Sequence, residues 1–216
     1  MSYKLLTETL EQYRVVPVIA IEDAEKALPL ADALIDGGLP VAEITFRTEA
    51  AAEVIRTLRR EKPDLVVGAG TVLTLENVAA AAEAGAQFAV APGTNPKIIA
   101  AARDADMPFI PGIATPSELE RALELECPIQ KFFPSEALGG AKLLKAMTGP
   151  YAHTGVRFVP TGGVNAGNLA EYLATPGVIA VGGPWVATKQ DIASGAWDTI
   201  AQRCREIADI VVQSAA

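Results

Sequence analysis

The chain has 216 residues, 50% hydrophobic and 20% charged, enough to bury a sizeable core in one large domain or two small ones. A net charge of −8, few aromatics and no basic run of five or more residues argue against a nucleic-acid partner. Cys127 and Cys204 lie far apart and form no CxxC motif, so both are expected to be buried, reduced thiols rather than a disulfide or metal ligands.

Residues 2 to 13 read as a helix that precedes the first strand. The opening "MSYKLLTETLEQYR" carries charge throughout and has no signal-peptide apolar core, which points to a cytoplasmic protein. Eight β-rich runs follow: "VVPVIAI", "VAEITF", "LVVGAGT", "FAVAPG", "MPFIPGI", "PIQKFFP", "VRFVPTG" and "VIAVGG", beginning near residues 15, 41, 65, 88, 107, 128, 156 and 178. Segments with helical apolar spacing lie between them. Ala24, Ala27, Leu28, Ala31, Leu34 and Ile35 repeat at i, i+3, i+4, i+7, and Gly85 is placed to end the helix in "ENVAAAAEAGA". The last helix carries Trp197, Ile200, Ala201, Cys204, Ile207, Ala208 and Val211 on one stripe. The longest uncharged stretch, "YLATPGVIAVGGPWVAT", is too broken by Gly and Pro to span a membrane.

Eight strands alternating with helices predict a parallel sheet buried on both faces. An open doubly wound sheet and a (β/α)8 barrel both fit; even spacing without a linker favours a single-domain (β/α)8 TIM barrel over residues 1–216, with the extra N-terminal helix closing its bottom. Active sites of such barrels gather at the C-terminal ends of the strands, so polar residues there carry the functional signal.

Two charges interrupt these runs. In "VAEITFRTE" alternation puts Val41, Glu43 and Thr45 on one face, with Arg47 just past the strand; in the sixth run Ile129, Lys131 and Phe133 share a face. A charge inside an apolar strand is costly unless paired or used. Glu43 and Lys131 both come from even-numbered strands, so both can point into one interior. A desolvated lysine favours its neutral form, a nucleophile that attacks a carbonyl and dehydrates to a Schiff base, while a neighbouring carboxylate shuttles protons. Arg47 suits a substrate carboxylate. The single histidine, His153, falls in a predicted surface loop, and no cluster has metal-ligand spacing, so neither a metal nor another cofactor is expected.

The last two runs end in glycine pairs, Gly162–Gly163 in "PTGGVN" and Gly182–Gly183 in "VGGPW". Glycine permits close approach of phosphate to backbone amides, and these are the usual phosphate positions of the barrel. Gly68, Gly70 and Thr71 lie at the rim, Pro92 shapes the pocket, and Phe133 serves as a wall.

"EITFRTE", "GAGTVL", "APG", "IPGIATPSE", "KFFP", "PTGGV" and "GGPW" resemble, in order and spacing across the whole chain, the signature segments of the 2-keto-3-deoxy-6-phosphogluconate (KDPG) / 4-hydroxy-2-oxoglutarate (KHG) aldolases. The resemblance implies a metal-independent, homotrimeric class I aldolase, a lyase of the Entner–Doudoroff pathway that cleaves KDPG to pyruvate and glyceraldehyde 3-phosphate. By motif it implies Lys131 as the Schiff-base residue and Glu43 as general acid/base. Arg47 and Thr71 match residues on the pyruvate carboxylate, and Pro92 and Phe133 match pocket walls. Thr161, Gly162, Gly163 and Gly183 match the phosphorylated end. One residue departs from the pattern: Pro184 stands where a Ser or Thr is expected. Proline brings neither hydroxyl nor N–H, so phosphate selectivity over KHG is expected to be weakened. The galacto epimer as substrate stays open, as do a sugar-phosphate isomerase or epimerase using the same pair without a covalent intermediate, and a non-catalytic phosphate-binding barrel. Oxaloacetate decarboxylation is a possible side activity.

Overall fold

In the computed structural model, which describes residues 1–214, strands and helices alternate as expected; the last two residues of the expected 1–216 domain lie outside the described residues. The strands are β1 (Val15–Ile19), β2 (Val41–Thr45), β3 (Val66–Gly70), β4 (Phe88–Val90), β5 (Phe109–Ile110), β6 (Gly112–Ile113), β7 (Ile129–Phe132), β8 (Arg157–Phe158) and β9 (Val181–Gly183). The helices are α1 (Tyr3–Tyr13), α2 (Ala27–Asp36), α3 (Ala51–Glu61), α4 (Leu75–Glu83), α5 (Pro96–Asp104) and α6 (Pro116–Glu124). They continue with α7 (Ser135–Leu138), α8 (Gly140–Thr148), α9 (Leu169–Leu173), α10 (Lys189–Ser194) and α11 (Trp197–Ser214).

Short-range chemistry sets these boundaries. Ser2, Thr74, Asn95, Thr115 and Thr188 each accept a first-turn N–H with the side chain, and Thr115/Glu118 and Thr188/Asp191 complete capping boxes. Gly85 follows α4 at φ 84°; its N–H reaches the carbonyl of Ala82 and that of Ala86 reaches Ala81, the paired closure of a Schellman end. Two expected elements differ in detail. The helix read from Ala24 opens with a 3-10 turn, Ala24–Lys26, which Asp23 caps through Glu25 N–H, before α2 begins. The fifth run divides into β5 and β6 at Pro111, which has no N–H to give the ladder although its carbonyl still accepts from Lys131.

The hydrogen-bonded strand order is β5-β4-β3-β2-β1-β9 in one sheet and β6-β7-β8 in the other, every pair parallel. Parallel bridges Phe158↔Val178 and Thr161↔Gly182 link the β8 segment to the β9 segment. The result is a curled parallel sheet with helices on its outer face. Val41 to Thr45 are buried at all five positions, as a strand covered on both faces requires. α1 buries Leu6, Thr9 and Leu10.

The segment after β9 is braced from α11. Arg203 Nη1 donates to the carbonyls of Trp185 and Val186 and to Asp191 Oδ2, the last at 2.8 Å. Desolvation would raise the Asp191 pKa, but hydrogen bonds from Arg203 and Thr188 outweigh it and hold the carboxyl below its usual 3.8. A depressed folded-state pKa means that this stability is complete at neutral pH and is lost as pH falls below the usual Asp value through the lowered one. Asp191→Asn is therefore expected to destabilise the fold by about 1 kcal/mol at pH 7, and by progressively less as acid titrates the wild type. Urea unfolding at a series of pH values checks this.

Candidate active site

Because all strands run parallel, their C-terminal ends open on one side, and the register decides what meets there. Glu43 lies beside Gly68 across the β2–β3 pair, and Lys131 lies beside Gly112 across β6–β7. Both charged side chains turn inward, and Lys131 Nζ stands 3.5 Å from Glu43 Oε1, with the side chains 8% and 5% exposed. They share a narrow interior cavity with Leu10 from α1, Val16, Phe88, Val90, Ile110, Val159 and Thr161. The walls are apolar, so the pair and the Thr161 hydroxyl are its polar groups. Glu43 Oε1 has no hydrogen bond of good geometry, so the carboxylate keeps acceptor capacity for an arriving proton.

Glycine makes room for this arrangement at two places of close approach. A Cβ on Gly70 would overlap the Glu43 carboxylate, and one on Gly68 would overlap the Phe88 ring that fills the layer below. On its outer face β7 is held by Gln130, whose Nε2 donates to the carbonyls of Leu119 at 3.2 Å and Cys127 at 3.3 Å, tying the lysine strand to α6.

The rim residues take distinct stations. Arg47 is exposed past the end of β2, and its Nε donates to Thr45 Oγ1 at 3.2 Å, which in turn donates to the Ile19 carbonyl at 2.8 Å. Thr71, just past β3, has φ 56°, a conformation that strains a β-branched residue and that clusters at ligand sites. Pro92 is exposed past β4, its carbonyl packed against Gly112. Phe133 lies with its ring centroid 5.6 Å from Lys131 Nζ, a cation–π distance, and its other edge approaches Gly162. Gly162 and Gly163 follow at φ 95° and 85°, consecutive left-handed residues that few side chains tolerate. Gly183 is buried against the Trp185 ring, and Pro184 is exposed beside it. Thr161, expected at the phosphorylated end, has its place in the lining of the interior cavity that holds Lys131 and Glu43, next to the Gly162–Gly163 turn.

Other candidates stand apart. His153 is exposed in a 3-10 segment, Gly149–Thr154. Cys127 and Cys204 are buried free thiols, and burial pushes the Cys204 thiol up to about 11, far from a working thiolate at neutral pH. Among the described residues, no group of three or more His, Cys, Asp or Glu is placed to hold a metal ion.

The family model for "Aldolase: KDPG and KHG aldolase" matches residues 6–203. The chain belongs to the KDPG and KHG aldolase family. A 2-dehydro-3-deoxy-phosphogluconate aldolase of Haemophilus influenzae is 48% identical over 213 residues, 98% of this chain and 100% of the relative. The KHG/KDPG aldolase of Escherichia coli is 44% identical over 192 residues, 89% of each chain. Among solved structures, a KDPG aldolase of Legionella pneumophila with pyruvate captured as a covalent carbinolamine intermediate superposes with a TM-score of 0.88 at 39% identity, covering 93% of this chain and 97% of that one.

Two groups of this KDPG and KHG aldolase family member carry no signal in the sequence. Arg203 sits on α11 beside the apolar stripe, and only the fold shows it holding the segment after Gly183. Ser135, Glu136 and Tyr172 form a hydrogen-bonded group between segments 36 residues apart, which no local periodicity reports.

Removing one member of the buried pair strands the other. Lys131→Met is expected to destabilise the protein by about 3 kcal/mol, and Lys131→Met combined with Glu43→Leu by less than Lys131→Met alone. Denaturant unfolding of the single and double variants tests the coupling.

Proposed function

We propose that the protein is a class I aldolase that cleaves KDPG to pyruvate and glyceraldehyde 3-phosphate through a Schiff base on Lys131. The observation that carries this is the buried pair, Lys131 Nζ 3.5 Å from Glu43 Oε1, in an apolar cavity on the inner face of a curled parallel sheet. The relatives named as KDPG aldolases, and the neighbouring structure with pyruvate captured as a carbinolamine, support it. For the chain as a whole, the reading is a single (β/α)8 barrel domain. The bridges between the β8 and β9 segments and the hydrogen bond from Lys131 N to the Pro111 carbonyl support a closed ring. A cytoplasmic homotrimer that needs no cofactor beyond the covalent lysine completes the proposal.

The chemistry follows from which groups lie within reach. Lys131 passes a proton to Glu43, its freed lone pair attacks the C2 carbonyl carbon, and an N–H proton moves to the carbonyl oxygen, giving a carbinolamine. Glu43 delivers a proton to its hydroxyl, which leaves as water, and the C=N bond forms. Glu43, now a carboxylate, removes the proton of the C4 hydroxyl. The C3–C4 bond breaks, its electrons pass to the iminium nitrogen as an enamine, and the three-carbon aldehyde departs. Protonation at C3 and hydrolysis of the imine release pyruvate and return the amine. The iminium is the electron sink, so no metal electrophile is required. Arg47 and Thr71 bind the substrate carboxylate, Pro92 and Phe133 wall the pyruvate pocket, and Thr161 belongs to the end that takes the phosphorylated aldehyde. Gly162, Gly163 and Gly183 offer backbone to the phosphate.

Pro184 supports a second substrate. The position supplies neither N–H nor hydroxyl, so KHG, which has a carboxylate where KDPG carries its phosphorylated arm, competes better than it otherwise would.

Borohydride reduction with pyruvate should attach a three-carbon adduct to Lys131 and to no other lysine; an unmodified Lys131 by mass spectrometry would sink the Schiff-base reading. In steady-state assays the protein is expected to prefer KDPG to KHG and to the galacto epimer. Equal kcat/KM for KDPG and KHG would remove the phosphate subsite. Pro184→Ser should lower KM for KDPG by about ten-fold and leave that for KHG unchanged.

A further inference from the structure

Immediately after the lysine strand the chain turns through the cis Phe133–Pro134 peptide into α7, and this turn is laid on the one that follows β8. Ser135 N–H donates to the Thr161 carbonyl at 2.8 Å, and Glu136 N–H donates to the Gly162 carbonyl at 3.0 Å. Side chains complete the fit. The Phe133 ring and Pro134 Cα lie against Gly162, and the Glu136 side chain occupies the space that a Cβ on Gly163 would need.

Beneath both turns sits one phenol. Tyr172 of α9 is 1% exposed, and its hydroxyl donates to Glu136 Oε1 and lies 2.6 Å from Ser135 Oγ, itself fully buried. Burial, and next the Glu136 carboxylate, push the Tyr172 ionisation up, so the phenol keeps its proton and gives it to the carboxylate. The Ser135 hydroxyl then donates to the phenol oxygen. α9 is the helix entered from the Gly162–Gly163 turn. The three side chains therefore join the end of the lysine strand, the glycine turn and the helix that leaves it.

We propose that Tyr172, with Glu136 and Ser135, is a positioning residue that presets the separation between the reacting end at Lys131 and the phosphate-binding turn at Gly162–Gly163. The inference rests on the Schiff-base reading above. A substrate tethered at Lys131 and held by phosphate at its far end needs that separation to be right at both ends at once. A substrate without the phosphorylated arm does not.

Kinetics with two substrates separate this from a merely structural role. Tyr172→Phe should raise KM for KDPG by about ten-fold, while changing KM for KHG and the rate of pyruvate trapping at Lys131 less than two-fold. Glu136→Ala, at an exposed position, should reproduce that pattern, and Glu136→Gln, which keeps an oxygen to accept from the phenol, should restore the KM for KDPG. Equal effects on the two substrates, or none on either, would overturn the proposal, as would slowed trapping in a variant whose thermal unfolding is unchanged. If the unsubstituted protein fails to trap pyruvate at all, the Schiff-base reading falls and the positioning role falls with it; wild-type trapping with indifferent variants removes the positioning role alone.

Discussion

An ammonium and a carboxylate taken out of water together each lose several kcal/mol of hydration, and their attraction returns it only at close range and in good geometry. The Lys131–Glu43 pair, 3.5 Å apart and almost fully buried, imposes that condition on the surrounding fold. It calls for strands that cannot shift, since a one-residue slip of β2 or β7 would turn the charge to the helix-packed face. It also calls for space beside the pair, which Gly70 leaves by having no side chain at the Glu43 carboxylate. Gln130 anchors the opposite face of the lysine strand to α6, so the strand is gripped from behind while the cavity on its inner face stays apolar apart from the pair and Thr161.

The two ends of the site are built differently. The cavity end rests on strand positions, Glu43, Lys131 and the adjoining Thr161, whose directions follow from backbone pairing. The far end rests on turns, Gly162–Gly163 and the segment after Gly183, which need bracing from outside. That bracing comes from helices: α9 through the Tyr172 hydroxyl, and α11 through Arg203, which donates to the Trp185 and Val186 carbonyls. Without a strand ladder of their own, these turns depend on helix side chains for their position.

Legibility in the sequence followed the range of the interaction. Lys131 and Glu43 stood out because a charge inside a two-residue alternation is anomalous within five or six residues, and that alternation correctly turned both inward. Gly85 and the last helix were readable for the same reason. Motif position puts Thr161 next to the glycine pair, and only the pairing of the β8 segment shows its side chain lining the cavity with Lys131 and Glu43. The division of the fifth strand was implicit in Pro111, but an apolar run reads as continuous until its ladder partners are known.

By itself the sequence determined the alternation of strands and helices, the inward charges, the glycine turns and membership of an aldolase family, all of which depend on residue spacing or on motifs that survive in one dimension. Tertiary structure decided that Glu43 and Lys131, 88 positions apart, become a pair, that Thr161 joins them, and that Tyr172, Glu136 and Arg203 hold the turns. The reason is physical. Local propensity acts over a few residues, whereas hydrogen bonds and ion pairs between distant segments exist only once burial has brought those segments to within about 3 Å of one another.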